Sequence, residues 1–170
     1  MTADAPAIVL VGPMGVGKSS IGRRVAKALG VPFTDTDAVI VREHGAISAI
    51  FDEHGEPYFR ALERDAVHEA LGRPGVLALG GGAAMHPETR AELAGHRVVL
   101  LTVDARTVAS RLRDDSRPLL RGSGVEEWAR IYAARKPIYE EVATVTFDTS
   151  HGPLQAVVDA IVAWSKENPR

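Results

Sequence analysis

Five short strand-like runs punctuate the chain, at 7–11, 31–35, 76–79, 97–102 and 144–148. Helical patterns separate them, and this alternation predicts βαβ units and a parallel sheet. The runs at 76–79 and 97–102 are almost wholly apolar, as strands covered on both faces should be. Helices are expected at 19–29, ending at Gly30, and across a long insertion at 38–71 broken by Gly45 and by His54-Gly55. Further helices are expected at 104–113, from 125 to about 139, and at 153–166. In the last, Leu154, Val157, Val158, Ile161 and Val162 recur at helical spacing, so it should pack on the sheet. The predicted fold class is α/β, three-layered, with a five-stranded parallel sheet in one domain over residues 1–170.

Composition narrows the field by exclusion. A net charge of −2 without a long basic run argues against nucleic-acid binding. With no cysteine there is no disulfide, thiolate nucleophile or cysteine-based zinc site. The first residues lack a basic-then-apolar leader and no run reaches membrane-spanning length, so a cytoplasmic location without membrane partners is expected. The histidines, His44, His54, His68, His86, His96 and His151, show no metal-ligand spacing and read as surface residues.

Directly after the first run stands Gly12-Pro13-Met14-Gly15-Val16-Gly17-Lys18-Ser19, which satisfies G-x-x-x-x-G-K-[ST] between a strand and a helix. Glycines let the backbone curl its N–H groups around an anion, and the following helix start adds positive charge. Lys18 would then reach the β- and γ-phosphates of a nucleoside triphosphate, with the Ser19 hydroxyl on Mg²⁺. Gly12, Gly15, Val16, Gly17, Lys18, Ser19 and Ser20 are the candidate ATP contacts.

Four further stretches carry candidate chemistry. Asp35 and Asp37 close the second strand, where residues two apart share a face and ligands bind at strand carboxyl ends. One could hold water or Mg²⁺ and the other an acceptor hydroxyl, although Asp37 could instead merely cap a helix. Arg60 and Glu63 lie three apart on a helix and can pair beside the apolar walls of Phe51 and Phe59, or form an ordinary solvated ion pair. Gly80, Gly81 and Gly82 end the third strand, either presenting backbone to a ligand or forming a plain turn. Residues 111–124 hold four arginines in a Gly-flanked loop that reads as a lid, or as an exposed charged loop. Downstream, Arg135 shares a helical face with Trp128, Ile131, Tyr132 and Tyr139 and no acid, so a ligand carboxylate could pair with it, or its head could reach water.

Taken together, from about residue 7 to 148, these motifs resemble the shikimate kinases, P-loop kinases that phosphorylate the 3-hydroxyl of shikimate with ATP. The resemblance implies Asp35 near Mg²⁺ and substrate, and Asp37 on the shikimate hydroxyls as base. It implies that Arg60, braced by Glu63, and Arg135 bind the shikimate carboxylate, with Phe51, Phe59 and Gly80–Gly82 lining the pocket. Arg-Pro-Leu-Leu at 117–120 matches the family lid, placing Arg117 at the transferred phosphoryl group. Arg111, or else Arg113, matches the adenine-contacting arginine, the spacing to Arg117 being one residue short. Ser20 stands where threonine is common, and no separate acidic Walker B stretch is present, as in the family. A monomer acting on small molecules is expected. Two rival readings are another small-metabolite kinase, such as a gluconate kinase, and a nucleotide-binding regulatory module without turnover. Lys18, Ser19, Asp35, Asp37 and Arg117 are all present, against the regulatory module.

Overall fold

In this computed structural model, the described residues are 6–112 and 124–169. Strands β1 (Pro6–Val11), β2 (Phe33–Asp35), β3 (Gly75–Ala78), β4 (Val98–Thr102) and β5 (Val145–Asp148) form one sheet in the order β2-β3-β1-β4-β5. Every pairing is parallel. The three inner strands are hydrophobic without alternation because both of their faces are covered. Ile8, Leu10, Val99 and Leu101 face one core with Ile21, Val25, Val158 and Ile161. Val9, Val11, Val98 and Leu100 face a second core with Val67, Leu71 and Leu93.

Helix α1 (Lys18–Leu29) starts from the P-loop and stops at Gly30, as its pattern predicts. Between β2 and β3 the helical stretch breaks at the expected glycines into α2 (Thr36–His44), α3 (Ile47–His54) and α4 (Glu56–Leu71). These three share a small core of their own, built on Ile40, Ile50 and Phe59. After β3 come a single 3₁₀ turn (Ala83–Met85) and α5 (Pro87–Leu93), which the apolar pattern did not mark. Helix α5 has seven residues and only Thr89 and Leu93 buried, too little periodicity to register. Its start is instead set by Pro87 and by the His86 ring, which accepts a hydrogen bond from the Glu88 N–H at 3.2 Å. His86 and His96 are half-buried rather than surface residues. Helices α6 (Ala105–Leu112), α7 (Val125–Val142) and α8 (Leu154–Glu167) complete the described chain.

One local expectation changes. Asp35 and Asp37 do not share a strand face, because α2 begins at Thr36 and places Asp37 in its first turn. Asp35, not Asp37, is the cap: its Oδ1 accepts from the N–H groups of Asp37 at 2.9 Å and Ala38 at 3.2 Å. Such a cap satisfies two of the donors that a helix start leaves open. The two carboxylates still meet in one cleft, brought there by a helix start rather than by strand alternation.

Candidate active site

The carboxyl ends of β1, β2 and β3 open onto one cleft of about 820 Å³. Gly15, Gly17, Lys18, Ser19 and Ser20 line one end of it. Gly15 and Gly17 hold φ of 80° and 98°, a left-handed backbone that only glycine adopts without strain. The Lys18 ammonium is held by the Gly12 and Pro13 carbonyls at 2.6 and 3.0 Å, a pose that keeps it over the loop it would share with phosphates. Gly12 and Val16, the other glycine and the valine of the loop, are buried. The Ser19 hydroxyl donates to Asp35 Oδ2 at 2.5 Å, setting two hard oxygen donors side by side at the loop's mouth.

At the other end of the cleft, four charged side chains converge from three helices. Arg60 donates to Glu63 at 2.8 Å and to Glu56 at 3.1 Å, and its guanidinium lies 5.2 Å over the Phe59 ring. Phe51 packs beside Phe59 with ring centroids 5.0 Å apart. The Arg60–Glu63 pair is therefore no solvated surface bridge, since Glu63 is only 3% exposed. Burial pushes the Glu63 carboxyl above its ordinary value, with Arg60 pulling it down, nearby Asp37 pushing it up again and Arg135 lowering it. Arg135 thus has an acidic neighbour after all; it is Glu63 of α4, not a residue of its own stripe. Arg135 also lies beside the Tyr139 hydroxyl, whose pKa is pushed up to about 12 by burial, with the Arg135 guanidinium pulling the other way.

The glycine turn after β3 lies against these groups. A Cβ on Gly80 would come within 2.5 Å of Asp37 Oδ1, and one on Gly82 within 2.5 Å of Arg60 Nη1. Close approach, not a flexible turn, is why this segment lacks side chains.

The structure thus gathers Asp35, Asp37, Phe51, Phe59, Arg60, Gly80, Gly81, Gly82 and Arg135 beside the P-loop. Arg111 lies outside the cleft lining, with its guanidinium donating to the carbonyls of Gly15 at 2.8 Å and Thr149 at 2.8 Å. Arg113 and Arg117 lie outside the described residues. The sequence reading missed Arg23, Ser48 and Asp52, which also line the cleft. Ser48 and Asp52 are four apart on α3, a spacing that puts them on one face with no motif to single them out. It also missed the Trp128 indole N–H, which donates to the Met14 carbonyl at 2.8 Å and ties α7 to the P-loop.

A family model described as "Shikimate kinase" matches residues 14–166. A shikimate kinase of Thermobifida fusca is 50% identical over 158 residues, covering 91% of this chain and 92% of the relative. The chain belongs to the shikimate kinase family. Among solved structures, shikimate kinase from Acinetobacter baumannii in complex with shikimate matches with a TM-score of 0.88 and 35% identity, covering 96% of this chain and 94% of that one. A gluconokinase from Sinorhizobium meliloti is also similar, at TM-score 0.59 and 21% identity over 98% of this chain and 94% of its own. That likeness extends to the fold alone. Among the described residues, no helix is long and apolar enough to cross a membrane.

Two outcomes follow for a member of the shikimate kinase family with this geometry. Gly82→Ala should displace the Arg60 guanidinium and raise KM for a carboxylate acceptor about 10-fold or more, the scale of one lost charge-assisted hydrogen bond. KM for ATP should stay within about twofold in the same assays, because the turn lies at the far end of the cleft. The second concerns alkaline stability. The folded state keeps Tyr139 neutral up to about 12, while the unfolded chain ionises it near 10.0, so its contribution is full below pH 10.0 and disappears as pH rises to about 12. Urea unfolding of the wild type and Tyr139→Phe across that range should show their stability gap shift by up to about 2 kcal/mol. A constant gap would mean that the phenol is not held neutral by burial.

Proposed function

We propose that this chain transfers the γ-phosphoryl group of ATP to the 3-hydroxyl of shikimate. The observation that carries this reading is the pair of arginines, Arg60 and Arg135, lining the same cleft as the P-loop and the Asp35–Asp37 pair. Two guanidiniums at one end fit the carboxylate of a small hydroxy acid, held bidentately. The Asp37 carboxylate, against Gly80, lines the same cleft as the arginines and the P-loop. There it would orient the acceptor hydroxyl and take its proton. Phosphoryl transfer asks mainly for positioning and charge stabilisation, which these residues supply.

The Ser19 hydroxyl and Asp35 fit Mg²⁺, which favours oxygen ligands and is commonly held by one or two carboxylates together with substrate phosphates. When bound, Mg²⁺ would neutralise charge on the triphosphate. Lys18 would neutralise the β- and γ-phosphates from the opposite side, and its grip on the Gly12 and Pro13 carbonyls keeps it poised. Arg111, fastened to the outer face of the P-loop at Gly15, is assigned the nucleotide side and Arg117 the transferred phosphoryl group. Residues 113–123 of the lid expected at 111–124 lie outside the described residues.

ADP release from ATP and Mg²⁺, with shikimate, gluconate or no acceptor, tests the reading. Shikimate alone should elicit release; release with gluconate instead would overturn the acceptor assignment, and silence with both in an ATP-binding protein would favour a regulatory module. Arg135→Ala should weaken shikimate binding roughly 10- to 150-fold, the range for a charge-assisted hydrogen bond, with ATP affinity nearly intact. Equal loss of both affinities would remove Arg135 from the acceptor side. Asp37→Asn should fold and lose most of its turnover, and unchanged turnover would reduce Asp37 to a helix residue.

A further inference from the structure

The Gly80–Gly82 turn packs against Asp37, Glu63, Arg60 and Arg135, yet has no side chain with which to anchor itself. It can be held only through its peptide groups. The Gly80 and Gly82 carbonyls accept from the Ala83 and Met85 N–H groups of the following 3₁₀ turn, each at 3.1 Å, and two buried hydroxyls tie the turn to other helices. The Gly80 N–H donates to Thr36 Oγ1 at 3.1 Å, and Thr36 is 0% exposed. The Tyr139 hydroxyl donates to the Gly81 carbonyl, and Tyr139 is 1% exposed. The Arg135 guanidinium lies at the same place: a Cβ on Gly81 would come within 3.1 Å of its Nη1 and 4.0 Å of the Tyr139 hydroxyl.

The two grips come from α2 and α7, two of the three helices that carry acceptor-side chemistry. Thr36 immediately precedes Asp37 on α2, and Tyr139 stands one turn after Arg135 on α7. Each hydroxyl therefore ties the turn to a neighbouring functional side chain. A valine in place of Thr36 would keep the shape but leave the buried Gly80 N–H without its acceptor, a cost that native structures avoid.

We propose that Thr36 and Tyr139 are positioning residues for phosphoryl transfer: their hydroxyls clamp the glycine turn and fix its spacing from Asp37, Arg60 and Arg135. Neither needs to touch substrate. The inference rests on the acceptor reading given above, because it is the acceptor whose seat the turn builds.

The test compares wild type, Thr36→Val, Thr36→Ser and Tyr139→Phe in steady-state kinetics, thermal melting and amide hydrogen exchange at Gly80. In Thr36→Val and Tyr139→Phe, kcat/KM for shikimate should fall about 10-fold or more, the scale of one lost buried hydrogen bond. KM for ATP should stay within about twofold, and Thr36→Ser should restore most of the loss. The effects of Thr36→Val and Tyr139→Phe should combine non-additively, since both act on one turn. The Gly80 amide should exchange slowly in wild type and Thr36→Ser, and much faster in Thr36→Val. Unchanged kcat/KM in folded Thr36→Val, an equal rise in KM for ATP, or no rescue by serine would overturn the proposal. If Thr36→Val fails to fold, the Tyr139→Phe kinetics and wild-type Gly80 exchange decide it, and fast exchange overturns it. A wild type without shikimate-dependent turnover would defeat the acceptor reading instead, while Gly80 exchange would still report on the clamp.

Discussion

A parallel sheet sends all of its strand carboxyl ends to one edge, and the site depends on that constraint. With the order β2-β3-β1-β4-β5, the ends of β2, β3 and β1 are neighbours. The three segments that leave them are the Asp35–Asp37 helix start, the glycine turn and the P-loop. No other element has to move for an anion at the P-loop and an acid near Asp37 to share one cleft. Burial of the inner strands on both faces makes this edge rigid, since a shift of register would expose Val, Leu and Ile side chains now wholly enclosed.

Around that edge the packing is close enough to leave no side-chain volume at Gly80 and Gly82. The consequence is electrostatic. Glu63, kept from water, depends on Arg60 for compensation, and this dependence fixes the guanidinium in place before any substrate arrives. Preorganised cations cost less to use than mobile ones, because their side-chain entropy is already lost when the chain folds. Ties to the P-loop from outside the cleft add to this: Trp128 holds α7 to the P-loop at Met14, and Arg111 holds α6 to Gly15 and Thr149.

The P-loop was legible because its chemistry is local: glycines, lysine and serine act within eight consecutive residues between a strand and a helix. The helices of the insertion were legible for a similar reason, with Gly45 and Gly55 marking their ends. Family resemblance identified Arg60, Arg135 and Asp37 through motifs that remain recognisable although far apart. Helix α5 escaped because seven residues with two buried positions give no period to detect. Asp35 and Asp37 were assigned to a common strand face because a two-residue spacing cannot reveal that Thr36 already begins a helix.

Sequence alone therefore determined the class of fold, the nucleotide loop and the family, since each rests on residue order, spacing and side-chain type. Only the tertiary structure decided how far each charge is buried and which groups compensate it. Arg135 had no acid on its own helical stripe, yet acquired Glu63 of α4 as an acidic neighbour, an arrangement that no one-dimensional spacing encodes. The grip of Thr36 and Tyr139 on the glycine turn is of the same kind. It joins positions 44 and 58 residues apart, and such hydrogen bonds exist only once the sheet has set its strand ends side by side.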